Sequence, residues 1–128
     1  MKLLLDTHVF LWFTGEPEKL SARLLGALID PENEVYFSPV SFWEIAVKYQ
    51  LGKLPLKEEP AVLVSRERAR AGIRPLPLEE EDIPFLHTLP RLHRDPFDRL
   101  LICQALHHHM VLATDDHLIK RYPVSILK

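Results

Sequence analysis

The stretch Lys2-Leu3-Leu4-Leu5-Asp6-Thr7, near the start of the sequence, decides the fold. A short apolar run that stops at polar residues is typical of a strand buried on both faces, as in a parallel sheet. We therefore predict a first strand over residues 2–5, with the Asp6 carboxylate directly after it. Burial of that carboxylate would be costly unless the group is paired or binds a cation.

Further strands and helices alternate along the rest of the chain. Capping side chains and prolines mark the helix starts, and glycine or proline marks the ends. The pattern predicts helices over residues 22–29, 39–50, 60–71, 96–107 and 117–121, and another helix opened by the acidic residues 79–82. It predicts strands over residues 34–37, 110–113 and 124–127, and a short edge strand within the extended residues 73–78. Such alternation predicts a three-layer α/β fold, with a mainly parallel sheet flanked by helices, in a single domain over residues 1–128.

The composition is that of a folded domain rather than a disordered chain or a basic nucleic-acid coat. The 128 residues are 47% hydrophobic and 27% charged, with a formal net charge of -2. The single cysteine, Cys103, excludes an internal disulfide and a zinc site built from several cysteines. No apolar run reaches the roughly 18 residues that cross a bilayer, and Asp6 comes too early for a signal peptide. We therefore expect a cytoplasmic protein without a membrane partner.

Acidic residues recur next to the predicted strand ends. Asp6 follows the first strand, Glu44 lies in the helix after the second, and Asp98 lies near a helix start. Asp115 and Asp116 directly follow the penultimate strand. Because the carboxyl ends of parallel strands meet at one edge of a sheet, we expect these carboxylates to converge there. A divalent cation would relieve their mutual repulsion, and ligation by oxygen atoms favours Mg²⁺ or Mn²⁺ over zinc.

Each of these acids also has a structural explanation that the residue types leave open. Glu44 would serve equally well as the capping-box partner of Ser41, and Asp98 would stabilise a helix dipole in a first turn. Asp95 precedes Pro96 and is the better N-cap, so we assign the structural role at that helix to Asp95. Spacing alone therefore supports a metal site and a set of helix-terminus interactions about equally.

Four short motifs occur in order along nearly the whole chain. They are Leu3-Leu4-Leu5-Asp6-Thr7-His8, Ser41-Phe42-Trp43-Glu44-Ile45, His93-Arg94-Asp95-Pro96-Phe97-Asp98-Arg99-Leu100-Leu101 and Leu112-Ala113-Thr114-Asp115-Asp116. These motifs resemble the successive motifs of PIN-domain proteins. They are most similar to those of the VapC-type toxins of prokaryotic toxin–antitoxin modules, which are metal-dependent ribonucleases. One such motif would be weak evidence, but four in register are strong evidence for the family.

The resemblance implies which acids form the site. Asp6, Glu44, Asp98 and Asp116 would be the catalytic acids, and Asp6, Asp98 and Asp116 would bind Mg²⁺ or Mn²⁺. The choice of Asp116 follows the family pattern, in which the fourth acid comes two positions after a threonine.

Three neighbouring residues are assigned through the same resemblance. Thr114 is the threonine that precedes the fourth acid, and Asp115 stays open as an alternative to Asp116. We expect the hydroxyls of Thr7 and Thr114 to orient carboxylates or a water molecule, although ordinary turn hydrogen bonds would explain both residues.

Basic residues beside the acids suggest phosphate contacts. Arg94 and Arg99 flank the predicted site, so we expect them to contact substrate phosphate, although Arg99 could instead pair with a carboxylate. The run His107-His108-His109 is a less suitable metal site because three consecutive side chains cannot all face one ion. We expect these histidines to interact with a helix dipole.

The resulting hypothesis is a Mg²⁺- or Mn²⁺-dependent endoribonuclease that cleaves RNA with metal-activated water. The resemblance implies the toxin of a VapBC-type module, with a VapB-type antitoxin as partner and a homodimeric state. One alternative is a PIN-like binding module without catalysis, against which the retained acids argue. Another is a phosphatase or phosphoacceptor domain that uses Asp6 as nucleophile. That chemistry predicts a second aspartate nearby, which Thr7-His8-Val9 does not provide.

Overall fold

The computed structural model describes residues 1–91 and 95–128 and contains a five-stranded sheet. Its strands are β1 (Lys2–Leu5), β2 (Glu34–Phe37), β3 (Arg74–Pro75), β4 (Val111–Ala113) and β5 (Ile126–Leu127). The strands pair in the order β3-β2-β1-β4-β5, and all four pairings are parallel. The predicted parallel sheet is therefore confirmed, and the apolar stretch over residues 2–5 forms its central strand.

Helices connect the strands on both sides of the sheet. The α-helices of the described residues are α1 (Thr7–Gly15), α2 (Ala22–Ile29), α3 (Pro39–Gln50), α4 (Pro60–Ala71) and α5 (Pro96–His107), and 3₁₀ helices cover Pro17–Lys19, Glu80–Thr88 and Ile119–Arg121. Proline occupies the first position of α3, α4 and α5, where its missing N–H costs nothing. None of the helices in residues 1–91 and 95–128 has the length and apolar character needed to span a membrane.

The hydrophobic core lies on both faces of the sheet. Leu3 and Leu5 of β1 pack on one face with Phe10 of α1. Leu4 points to the other face, where it packs with residues of α5 such as Leu101. Because alternate side chains of a strand point to opposite faces, this distribution requires a layer of helices on each side. The three-layer α/β arrangement predicted from the sequence is thus confirmed.

Four elements differ from the sequence prediction. The segment after Asp6 forms α1, which was not predicted because its central residues 9–13 are all apolar and show no helical periodicity. The helix expected after residues 79–82 is a 3₁₀ helix that contains Pro84, which lacks the N–H needed for regular α-helical bonding. The helix expected over residues 117–121 is limited to Ile119–Arg121, and the strand expected over residues 124–127 is limited to Ile126–Leu127. The short edge strand expected within residues 73–78 is confirmed as β3.

Candidate active site

An acidic cavity of about 330 Å³ lies at the carboxyl end of the sheet. All five acids that the sequence placed at this edge line it. The complete set of lining residues is Asp6, His8, Trp12, Glu44, Lys48, Asp95, Asp98, Asp115 and Asp116. Because these residues lie directly after β1, in α1 and α3, at the start of α5 and after β4, the parallel topology brings them together from distant parts of the chain.

Asp6 is fixed by the sheet and by one hydroxyl group. Its backbone N–H donates to the carbonyl of Ala113 on the neighbouring strand at 2.9 Å. Thr114 donates its hydroxyl proton to Asp6 Oδ2 at 2.6 Å. Asp6 is also the N-cap residue of α1, but its side chain makes no capping bond, so the carboxylate is available to the cavity. Burial raises the pKa of Asp6 despite the hydrogen bond from Thr114, which lowers it.

Glu44 is a buried carboxylate held from two sides. Thr7 donates its hydroxyl proton to Glu44 Oε1 at 2.6 Å, and Lys48 donates from Nζ to Oε2 at 2.5 Å. The N-cap of α3 is Ser38, whose hydroxyl accepts from the N–H of Val40 at 3.0 Å. Ser41 therefore lies inside the first turn, and the alternative that Glu44 forms a capping box with Ser41 is wrong.

Asp98 is buried in the first turn of α5. Asp95 is the N-cap, as predicted, because its Oδ1 accepts from the N–H of Phe97 at 2.9 Å and of Asp98 at 3.2 Å. Burial, and after it the negative charges of Asp6, Asp95, Glu44 and Asp116, together raise the pKa of Asp98 to about 8. The carboxylates are thus close enough to oppose one another's ionisation.

Asp116 is better placed than Asp115 to act with the other acids. Asp116 is partly buried, and its negative charge is among the groups that raise the pKa of Asp98 after burial. Its backbone N–H donates to the Thr114 hydroxyl at 3.1 Å, which links it to the group that holds Asp6. Asp115 also lines the cavity, but it is exposed and interacts electrostatically with Lys120.

Of the two arginines predicted to contact phosphate, the structure describes Arg99. Arg99 does not line the cavity: its Nη1 donates to the Pro90 carbonyl at 2.9 Å and lies 3.4 Å from the Tyr122 hydroxyl. Helix geometry explains why the Arg99 side chain does not line the cavity. Consecutive residues of α5 point about 100° apart, and Asp98 faces the cavity. Arg94 lies outside the described residues.

Lys48 is a cavity residue that the sequence analysis missed. Its ammonium group contacts Glu44 from one turn further along α3 and lines the same cavity. Burial lowers the pKa of Lys48, but the hydrogen bond to Glu44 and the charges of Glu44, Asp95 and Asp98 outweigh this effect and raise it. The four-residue spacing from Glu44 is the sequence pattern that could have identified it.

The carboxylate oxygens that line the cavity are the type of donor that Mg²⁺ and Mn²⁺ prefer. The carboxylates of Asp6, Asp98 and Asp116 line one space, and Asp6 and Asp98 are buried. Burial raises the pKa of both Asp6 and Asp98, and the charges of Asp6 and Asp116 add to this effect at Asp98. A cation in this space would reverse that effect and favour the ionised carboxylates.

Comparisons with known proteins agree with this geometry. The PIN domain family model matches residues 3–124, so the chain belongs to the PIN domain family. Among solved structures, the chain resembles VapBC2 from Rickettsia felis, crystallised with a promoter DNA fragment, with a TM-score of 0.75 and 17% sequence identity over 99% of this chain and 98% of that chain. The family resemblance predicted from the four motifs is therefore confirmed.

Two curated relatives carry VapC names. The chain is 34% identical over 99 residues to ribonuclease VapC16 of Mycobacterium tuberculosis, which is 77% of this chain and 65% of that protein. It is 26% identical over 129 residues to ribonuclease VapC22 of the same organism, covering 97% of each chain. This chain therefore spans about two thirds of the first relative and nearly all of the second.

Proposed function

We propose that this single PIN domain is an endoribonuclease and the toxin of a VapBC-type toxin–antitoxin module. The observation that carries the proposal is the convergence of Asp6, Glu44, Asp98 and Asp116 on one cavity at the carboxyl end of a parallel sheet. The ribonuclease names of the two curated relatives support the same activity. Retention of all four acids argues against a binding module without catalysis.

We assign Mg²⁺ or Mn²⁺ to Asp6, Asp98 and Asp116. Bound there, the cation would supply the positive charge that activates water and stabilises the phosphate in the transition state. Thr114 orients Asp6 by donating a hydrogen bond to one carboxylate oxygen, which leaves the other oxygen for the cavity. Thr7 performs the corresponding task for Glu44.

Lys48 takes the role that the sequence analysis gave to Arg99. The positively charged ammonium group of Lys48 reaches the acids from α3, and about a third of the side chain remains exposed. An ammonium group in that position can contact a non-bridging oxygen of the scissile phosphate while Glu44 keeps it oriented. We therefore place Lys48 at the substrate-binding side of the cavity.

The experiment that tests this function is cleavage of single-stranded RNA followed by analysis of the product ends. Attack of water on phosphorus with loss of the 3′-oxygen should leave 5′-phosphate and 3′-hydroxyl ends. Activity should need added Mg²⁺ or Mn²⁺ and disappear with chelator. An RNA with one 2′-deoxynucleotide at the cut should still be cleaved. Cyclic 2′,3′-phosphate ends, formed without any effect of chelator, would show that the ribose hydroxyl is the nucleophile and contradict the proposal.

A VapB-type antitoxin is the partner that we propose for the surface next to the acids. A groove of about 250 Å³ shares His8 and Trp12 with the acidic cavity and continues along apolar residues that include Leu11, Leu56 and Leu63. An amphipathic helix would cover the apolar part, and a basic side chain beside it would reach the carboxylates.

The partner is tested with the product of a small gene encoded next to this one. It should bind the full chain and inhibit RNA cleavage, and Leu56→Lys should weaken binding about tenfold or more. Ile29→Lys, at an exposed residue outside the groove, is the matched control and should bind normally. Equal binding by Leu56→Lys would place the antitoxin elsewhere. Sedimentation of the chain alone tests the predicted homodimer in the same samples.

A further inference from the structure

A second group of potential metal ligands lies at the opposite end of α5 from the acidic cavity. It comprises Glu79, Asp82, His107 and His108, whose ligand atoms all lie within 4.8 Å of one another. Asp98 is in the first turn of α5 and His107 is its last residue. Nine residues of α-helix span about 14 Å, so this group is separate from the candidate active site.

Two of the three consecutive histidines converge on one carboxylate. His107 Nδ1 lies 2.6 Å from Asp82 Oδ1, and His108 Nε2 lies 3.2 Å from the same oxygen. The two neighbouring imidazoles can reach the same oxygen because His107 approaches it with Nδ1 and His108 approaches it with Nε2. The expectation that these histidines serve only the helix dipole is therefore incomplete. His109 is exposed and has a φ of 55°, which takes it out of the helix.

The carboxylate at the centre of this group is completely buried. Asp82 is 0% exposed, and its Oδ2 accepts from the backbone N–H of Glu79 at 2.7 Å. Its other oxygen faces the two imidazoles. A buried carboxylate is costly unless hydrogen bonds and a nearby positive charge compensate for the lost hydration. A divalent cation with Asp82 and Glu79 as ligands would make the group electrically neutral.

His108 provides an independent observation. Its Nε2 atom is buried and has no hydrogen-bond partner among the described residues, although it lies 3.1 Å from Glu79 Oε1 and 3.2 Å from Asp82 Oδ1. The nitrogen thus lies between two carboxylate oxygens without being directed at either. Such an arrangement is expected for ligands around a common central position, which in a tetrahedral zinc site lie about 3.3 Å apart.

We propose that Glu79, Asp82, His107 and His108 bind one Zn²⁺ ion that fastens the end of α5 to the 3₁₀ helix Glu80–Thr88. Two imidazoles and two carboxylates suit Zn²⁺ and not Mg²⁺, which disfavours nitrogen ligands. All four positions are filled by protein side chains, as in zinc sites that stabilise a fold. The role is therefore stabilisation of α5, whose other end carries Asp98.

The proposal is tested by titrating the metal-free full-length protein with Zn²⁺ alone. One equivalent should bind in the presence of millimolar Mg²⁺. At free Zn²⁺ about 100-fold above Kd, Tm should rise by roughly 10 °C. Co²⁺ in place of Zn²⁺ should give the visible absorption of four-coordinate cobalt with nitrogen ligands.

Variants locate the ion. His108→Gln should weaken Zn²⁺ binding by about 100-fold or more, because it removes a ligand. His109→Gln is the matched control at the exposed neighbour and should bind Zn²⁺ like the unmodified protein. Asp98→Asn should still bind one equivalent of Zn²⁺. This result would distinguish the proposed site from Zn²⁺ bound among the active-site acids. Zn²⁺ affinity unchanged in a folded His108→Gln protein, or lost in Asp98→Asn, would overturn the proposal, as would the absence of Zn²⁺ binding at micromolar concentration.

Discussion

Asp98→Asn should lower RNA cleavage by about 1000-fold and, in the absence of divalent cations, raise the Tm of the protein. The loss of cleavage follows because an amide is a poor ligand for Mg²⁺ or Mn²⁺ and removes one negative charge from the cation site. The gain in stability follows because Asp98 is buried among other carboxylates that oppose its ionisation. Single-turnover cleavage and thermal unfolding in chelator measure the two effects in one preparation.

The stability effect has a defined pH dependence. The pKa of Asp98 is about 8 in the folded protein because of burial first and neighbouring acids second, against 3.8 for an ordinary aspartate. Between these two values the folded chain holds a proton that the unfolded chain releases, so stability falls as pH rises from about 4 to about 8. Tm of the metal-free protein should therefore decrease over this range, and Asp98→Asn should make the decrease smaller. A steeper decrease in the variant would contradict the assigned environment.

Asp95→Asn is the matched control for this variant. Asparagine caps a helix about as well as aspartate, so the hydrogen bonds to the start of α5 should persist. Cleavage should change by less than about fivefold. The main role of Asp95 is to cap α5, and its influence on the cavity comes only from its negative charge. A loss as large as that of Asp98→Asn would mean that Asp95 is the metal ligand of the pair.

Local sequence patterns were sufficient to predict the architecture. The run Leu3-Leu4-Leu5 identified a strand buried on both faces, and the proline at the start of α3 and α5 located two helices that carry site residues. Helix α1 was missed because its burial depends on packing against the rest of the core and not on an amphipathic pattern of its own. The 3₁₀ helix Glu80–Thr88 was expected as a regular helix, although Pro84 within it was visible in the sequence.

The position of an acid after a strand was predictable, but the direction of a long side chain was not. Asp6 and Asp116 lie where parallel strands must place them, whatever the details of packing. Arg99 instead follows its hydrogen-bond acceptor, the Pro90 carbonyl, which only the folded chain brings within reach. The convergence of His107 and His108 on Asp82 depends in the same way on the contact between α5 and a distant 3₁₀ helix.

Lys48→Met should raise KM for RNA by about 10- to 100-fold, which is the range expected for loss of one charge-assisted hydrogen bond to phosphate. The variant also removes the hydrogen bond that Lys48 donates to Glu44, so lower stability alone could reduce activity. The dependence of RNA binding on salt separates the two causes. Removal of one ionic interaction between the protein and a single-strand phosphate lowers the slope of log K against log salt by about 0.7, whereas a purely structural change leaves the slope unaltered.

Two further variants complete this test of Lys48. Lys48→Arg keeps the positive charge and should keep the salt slope of the unmodified protein. Lys2→Met removes the same charge from an exposed residue at the amino end of β1, away from the cavity, and should change neither KM nor the slope. A Lys48→Met protein with the original slope, a normal KM and a reduced kcat would assign Lys48 to the positioning of Glu44. The cation that contacts substrate phosphate would then have to come from another part of the chain.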